Sequence, residues 1–389
     1  MNDLSIYFQP IDEAISSNLQ ASQIGSKIKC HTPNHFPDLE GVKMAIMGIK
    51  ESRNAVDNSG CNEAPDYVRT YLYKLYANLS NVQIADLGNV EKGFEISDTY
   101  HAVANICTEL IKKNIIPIII GGGQDLTYAN YTAYQNLEQT VNLVSIDHSI
   151  DLGVINQPID SKSYLGNIIL HQPNYLFNYS NIGYQTYLTD PATIDLMGKL
   201  YFDCYRLGYF KNNLEEVEPI VRNADILSLD ISSIRMSDAP GSALSGPNGF
   251  YGEDACQIMR YAGLSDKLSS VGIYEYNPSK DERGVTAHLI AQMIWCFIDG
   301  FLNRKSDFPI APKKEFAKYH VLVDDEEKYE IIFYKSPKSD RWWMEVPYPT
   351  SKNAKYERHY LVPCSYSDYE FAINNGMPDR WWQTFQKLS

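Results

Sequence analysis

Three apolar runs in this chain end in polar groups that could do chemistry. Asn142-Leu-Val-Ser-Ile146 leads into Asp147-His-Ser-Ile-Asp151, Ile115-Ile-Pro-Ile-Ile-Ile120 into Gly121-Gly-Gly-Gln-Asp125, and Asp225-Ile-Leu-Ser-Leu229 into Asp230-Ile-Ser232. A short apolar run that turns abruptly acidic reads as a buried parallel strand whose carboxyl end opens into a ligand site. Brought together, Asp147, Asp151 and Asp230 would repel one another and take up protons unless a cation sat among them. Carboxylate oxygens suit a hard divalent ion. The counter-charge within the chain is Arg235, which reads equally well as a surface residue.

Side-chain alternation sharpens the expectation. If the central run stays extended, Asp147, Ser149 and Asp151 share one face and His148 points to the other, packed under the sheet. Only a bulge that shifts the register by one residue brings that imidazole to the carboxylates. Asp125 is open to two readings, a ligand one residue after Gln124 or the N-cap of a helix that starts at Leu126.

Such runs need a scaffold that gathers strand ends on one edge, and the surrounding chain supplies it. Strands are expected at 42–48, 82–85 and 181–187, and helices at 64–79, 98–113, 126–137, 191–205 and 287–302. In the second helix Asp98 is the expected cap, and Val103, Ile106 and Leu110 share an apolar face. This alternation predicts an α/β fold, a three-layer αβα unit with a parallel sheet. Residues 1–40 show no sustained period and are set apart as an N-terminal extension, 41–304 form the body, and 305–389 form a separate module.

At its polar strand ends the chain resembles the ureohydrolases, the family of arginase, agmatinase and formimidoylglutamase. Further motifs follow in order: Asn58-Ser-Gly-Cys-Asn-Glu-Ala-Pro65 with Val68-Arg69, Asp86-Leu-Gly-Asn89, Asp238-Ala-Pro-Gly-Ser242 and Tyr274-Glu-Tyr-Asn-Pro-Ser279. The resemblance implies an arginase-like sheet of about eight strands and a site in which two manganese ions activate a bridging water. It also implies that Glu275 holds a cationic guanidino or amidino ligand. Carried over residue by residue, three of the six metal ligands remain, Asp147, Asp151 and Asp230, while Gln124, Ser149 and Ser232 stand at the other three positions. Neither serine nor glutamine is a usual manganese ligand.

Gly166-Asn-Ile-Ile-Leu-His-Gln-Pro173 resembles a segment that meets the substrate's amino-acid end in the family, which makes Asn167 and His171 substrate-binding candidates. The other reading is an ordinary helix stopped by Pro173.

Bulk properties narrow the class. Seven scattered cysteines without a Cys-x-x-Cys pair argue for reduced thiols. The start of the chain shows no basic segment followed by an apolar core, and no membrane span is expected, so the reading is cytoplasmic. The net charge of −14 falls on residues 1–304 without a basic stripe, which argues against nucleic acid as a partner. A homo-oligomer is implied by the family.

The stretch 305–389 differs in kind. It is rich in aromatics and carries Asp-Arg-Trp-Trp twice, at 340–343 and 379–382. Segments 319–323 and 329–334 alternate like strands of a hairpin joined by 324–328, with 342–346 and 359–362 extending the sheet. The paired tryptophans read either as a patch for a protein partner or as packing of this module onto the body.

Two functions follow. With half of the ligands gone, the first reading is a non-hydrolytic binding, regulatory or scaffold protein with a degenerate manganese site. It has no residue singled out as catalytic and no cofactor beyond one weakly held divalent cation, Mn2+ or Mg2+. The alternative is a metal-dependent hydrolase of linear amidines or guanidines.

Overall fold

The computed structural model describes residues 4–79, 82–154, 157–308, 315–324, 328–348 and 354–389. The strands in chain order are β1 (Lys29–Cys30), β2 (Val42–Lys50), β3 (Gln83–Glu91), β4 (Ile116–Ile120), β5 (Val141–Ile146), β6 (Leu176–Tyr184), β7 (Asp203–Arg206), β8 (Ile226–Asp230) and β9 (Ser270–Tyr274). They form one nine-stranded sheet in the order β1-β3-β2-β4-β9-β8-β5-β6-β7, every pair parallel.

Every residue of β4, β5, β8 and β9 is buried, as expected for strands covered on both faces. Alternation splits their side chains between two apolar clusters. Ile118, Ile120, Val144 and Leu229 meet helices Ala64–Leu72, Gly252–Leu264 and Val285–Leu302, whereas Ile119, Leu143 and Ile226 meet helices Ile96–Lys112, Leu126–Asn136 and Tyr164–Leu170. Helix Val285–Leu302 is long and apolar enough to cross a membrane, which the sequence reading did not expect. More than half of that span is buried inside the protein, as a core helix requires.

Two strands were not foreseen. β1 is only two residues long and comes from the stretch that showed no period. β7 lies inside the expected helix 191–205; that helix stops at Lys199, and the chain reverses through Tyr201 at φ 56°. Asp98 does not cap its helix but sits at the third position of a capping box headed by Glu95. Two of the quoted motifs meet in the core: buried Arg69 grips both oxygens of Asp86 at 2.8 Å and reaches Asn89 Oδ1 at 2.5 Å.

Near the C-terminus, β10 (Ala317–Asp324), β11 (Lys328–Lys335), β12 (Trp342–Glu345) and β13 (Leu361–Cys364) form a second, antiparallel sheet. The connection at 325–327 lies outside the described residues. Helices Tyr366–Ile373 and Asp379–Leu388 complete this part. Both Asp-Arg-Trp-Trp copies turn toward the body: Arg341 pairs with Glu218 at 3.1 Å and Arg380 with Glu216 at 2.9 Å. Trp342, Trp343 and Trp381 are buried, and the Arg222 guanidinium lies 4.4 Å over the Trp343 ring.

Candidate active site

Strand order puts the carboxyl ends of β4, β9, β8 and β5 side by side. The residues at or just after those ends, Gln124, Glu275, Asp230 and Asp147, therefore converge although they are far apart in the chain.

His148 is where the structure departs from the sequence reading. β5 ends at Ile146, so strand alternation no longer governs the site. Asp147 Oδ1 accepts the Ser149 N–H at 3.1 Å, a tight turn that frees His148 from the sheet face. Its Nδ1 lies 3.2 Å from Asp147 Oδ1 and 2.7 Å from Ser232 Oγ. Asp147, His148 and Asp230 each offer one ligand atom, all within 4.8 Å of one another. The expectation that His148 packs under the opposite face is thus overturned.

The other family positions are filled in an orderly way. Ser149 Oγ donates to Asp151 Oδ1 at 3.0 Å, and the Ser232 N–H donates to Asp230 Oδ1 at 2.7 Å. The amide of Gln124 reaches Ser145, Tyr164 and Ser228 at 3.3–3.5 Å. Ser145 and Ser228 precede Asp147 and Asp230 by two residues, so Gln124 fills the layer beneath the carboxylates. Asp125 stands at the N-cap position but does not cap; its Oδ2 accepts the Tyr100 hydroxyl at 2.5 Å.

Glu275 is held in the left-handed region, at φ 64°, which a non-glycine residue adopts at a cost. Its Oε1 accepts the Gln124 N–H at 2.9 Å, and Asn58 Nδ2 donates to both Oε2 at 2.7 Å and the Glu275 carbonyl at 2.9 Å. Asn58 opens one of the motifs shared with the ureohydrolases, and nothing in its sequence neighbourhood signals a partner 217 residues away.

Electrostatics mark the cluster as short of positive charge. Burial, then the Asp147 charge, pushes Asp230 up to about 7. Burial and the Asp230 charge push Glu275 up to about 8. Asp151 is raised well above the usual carboxylate range, by burial and by Asp147. Burial disfavours protonation of His148, but its bond to Asp147 and the charges of Asp147 and Asp230 outweigh that and raise it. Arg235 does not supply the missing charge: it pairs with Asp238 at 2.9 Å and stacks 3.8 Å over Tyr251.

Asn167 and His171 are not brought to this cluster. Asn167 lies within a helix and donates to the Ser163 carbonyl at 3.0 Å. His171 caps the end of that helix, with Tyr128 at 3.0 Å from Nδ1 and Gln135 at 2.6 Å from Nε2.

The donor set does not fit two manganese ions. Among the described residues Asp147, His148 and Asp230 are the one His/Cys/Asp/Glu cluster close enough to hold a metal, and Gln124 is committed beneath it. One divalent cation fits: Asp147 Oδ2 meets no N–H or hydroxyl donor, its side chain shares a proton with raised Asp151, and a cation would take that proton's place.

A parallel αβα sheet whose central strands deliver three carboxylates and an amide to one edge defines an arginase-like α/β protein. The chain belongs to the arginase family, which residues 42–299 match. Formimidoylglutamase of Streptococcus gordonii is 26% identical over 313 residues, covering 74% of this chain and 93% of that protein. That of Photorhabdus laumondii is 21% identical over 280 residues, covering 68% and 87%. In fold the chain is similar to Trypanosoma cruzi formiminoglutamase with Mn2+2, at TM-score 0.63 and 18% identity over 69% of this chain and 96% of that one. It is also similar to agmatine ureohydrolase of Thermoplasma volcanium, at TM-score 0.57 and 19% identity over 74% and 97%.

Proposed function

We propose that this chain hydrolyses a C–N bond of a linear amidine with one divalent cation held by Asp147, His148 and Asp230. The observation that carries this reading is the His148 imidazole beside Asp147 and Asp230, where alternation along the strand leaves only oxygen donors. Similarity to formimidoylglutamases supports the amidine class. A bound Mn2+ or Mg2+ supplies Lewis acidity and offsets the crowded negative charge.

The chain's own residues do the remaining work. Asp151, with Oδ1 fixed by Ser149, holds a proton beside Asp147, and a cation in the cluster would favour its release. Glu275, pinned by Asn58 and the Gln124 N–H, is pushed up to about 8, and the positive charge of an amidinium beside it would favour its ionised form. Gln124 and Ser228 close the layer below and keep water out from that side.

A second reading, the non-hydrolytic binding or scaffold protein, is favoured by one observation: Gln124 is fully buried and turned to Ser145 and Ser228 rather than to a metal. The experiment that decides is metal loading followed by assay of ammonia, formamide and urea release from formimidoylglutamate, agmatine and arginine. Turnover that needs about one equivalent of cation and vanishes in His148→Ala supports the hydrolase. A stoichiometrically loaded protein that turns over none of them, while Gln124→His with Ser149→His and Ser232→Asp gains activity, supports the other reading.

A further inference from the structure

A cleft of about 880 Å3 opens at the carboxyl ends of β6 and β7. Neither Asp147, His148 nor Asp230 lines it. A hydrogen-bonded partition separates it from them: the Gln185 N–H donates to the His148 carbonyl at 2.9 Å, Gln185 Nε2 to the Asn248 carbonyl at 3.1 Å, and Asn248 Nδ2 to the Tyr187 hydroxyl at 3.1 Å.

Its floor is a continuous set of rings. Centroids of Tyr205 and Phe210 are 5.7 Å apart, Tyr209 and Phe210 5.0 Å, and Phe210 and Phe250 6.4 Å. The floor is braced from behind by the second Asp-Arg-Trp-Trp copy, because Arg380 bonds the Tyr205 side chain while pairing with Glu216 and Asp368.

The cations in this cleft differ in how they are used. Arg235 is neutralised by Asp238. Asp254 spends one carboxylate oxygen on the Tyr251 N–H at 2.9 Å. Arg206 gives only Nε, to the Tyr184 hydroxyl at 3.1 Å. Among the described residues neither Arg206 nor Lys211, both exposed, makes an ion pair, and neither does the exposed carboxylate of Glu253, which also lines the cleft. In a chain of net charge −14, two uncommitted cations against the single unpaired carboxylate of Glu253, on a ring-lined wall, are suited to an anion with a flat body.

We propose that this cleft is a second ligand site, which takes a small molecule combining an aromatic ring with a carboxylate or phosphate group. The ring stacks on the exposed face of Tyr209 or Tyr251, and the anion pairs with Arg206 and Lys211. The volume lies within the range of small-molecule pockets.

Isothermal titration of the full chain tests this with adenosine monophosphate and 4-hydroxyphenylacetate as ring-bearing anions, adenosine as the ring without the anion, and inorganic phosphate and acetate as anions without the ring. At least one ring-bearing anion should bind one to one, at least tenfold more tightly than adenosine, inorganic phosphate and acetate. Which of the two binds tells phosphate from carboxylate. Arg206→Gln combined with Lys211→Gln should weaken it tenfold or more with an unchanged thermal melt, and Tyr209→Ala should weaken it with the charges intact. Absence of binding by both anions at about 1 mM, equal binding of phosphate alone, or an unaffected double variant would overturn the proposal. No outcome depends on whether the chain turns over an amidine.

Discussion

Ser232 Oγ lies 2.7 Å from His148 Nδ1. By the resemblance to the ureohydrolases, this serine stands where the family carries an aspartate and the imidazole lies one residue from the family's histidine. We read the two departures as one local exchange. A carboxylate at 232 would add charge beside Asp147 and Asp230, whereas a hydroxyl leaves room for the imidazole and orients it.

Removing that imidazole should separate cation binding from folding. His148→Ala is expected to lower Mn2+ affinity at least about tenfold in isothermal titration. The melting temperature without metal should stay within about 2 °C, because the side chain contributes little to the core. Unchanged Mn2+ affinity would remove His148 from the site.

The crowded carboxylates make a pH prediction of definite sign. Glu275 is pushed up to about 8, and Asp230 and Asp125 to about 7, chiefly by burial. Between pH ~4 and those values the folded chain holds protons that the unfolded chain has released. Their contribution to stability is therefore complete below the unfolded values and is lost as pH rises through the folded ones. In chelator, the melting temperature should fall from about pH 5.5 to about pH 8.5. Millimolar Mn2+ or Mg2+ should flatten that fall, since a cation replaces the protons. A melt independent of pH in chelator would contradict the charge-deficient site.

Asn58 should matter more than its loop position suggests. Asn58→Ala takes the donor away from Glu275 Oε2 and from the Glu275 carbonyl, at a cost of about 1–3 kcal/mol in urea denaturation. Asn58→Asp sets a carboxylate against Glu275 and should cost more at pH 8 than at pH 5. Equal losses at the two pH values would show that charge at Glu275 is not the issue.

The aromatic segment is anchored through a buried charge. Arg358 Nη2 lies 2.5 Å from Oδ1 of the fully buried Asp225, with Lys267 3.8 Å from Oδ2. Arg358→Ala should destabilise the protein by about 3 kcal/mol, the cost of leaving a buried carboxylate short of its partner. Asp225→Asn combined with Arg358→Ala should recover part of that loss. A single variant as stable as the parent would show that the Lys267 ammonium suffices.

The apolar runs ending at Ile120, Ile146 and Leu229 determined the parallel sheet and the edge at which its ligands gather, because strands buried on both faces need continuous apolar sequence and reveal where it stops. The alternating segments near the C-terminus likewise gave the antiparallel sheet, since period two survives in strands with one buried face. The sequence could not give the two-residue β1, too short for any period, or β7, hidden behind a reversal at Tyr201. Nor could it settle His148. Alternation holds only while the backbone is extended, and a turn closed by Asp147 and Ser149 ends it one residue before the imidazole. The grip of Asn58 on Glu275 and the shared anchorage of Arg341 and Arg380 on one short segment join positions far apart in the chain, and no local pattern encodes them. Tertiary packing decided these, by bringing a charge to a carboxylate or a donor to an acceptor that burial would otherwise leave unpaired.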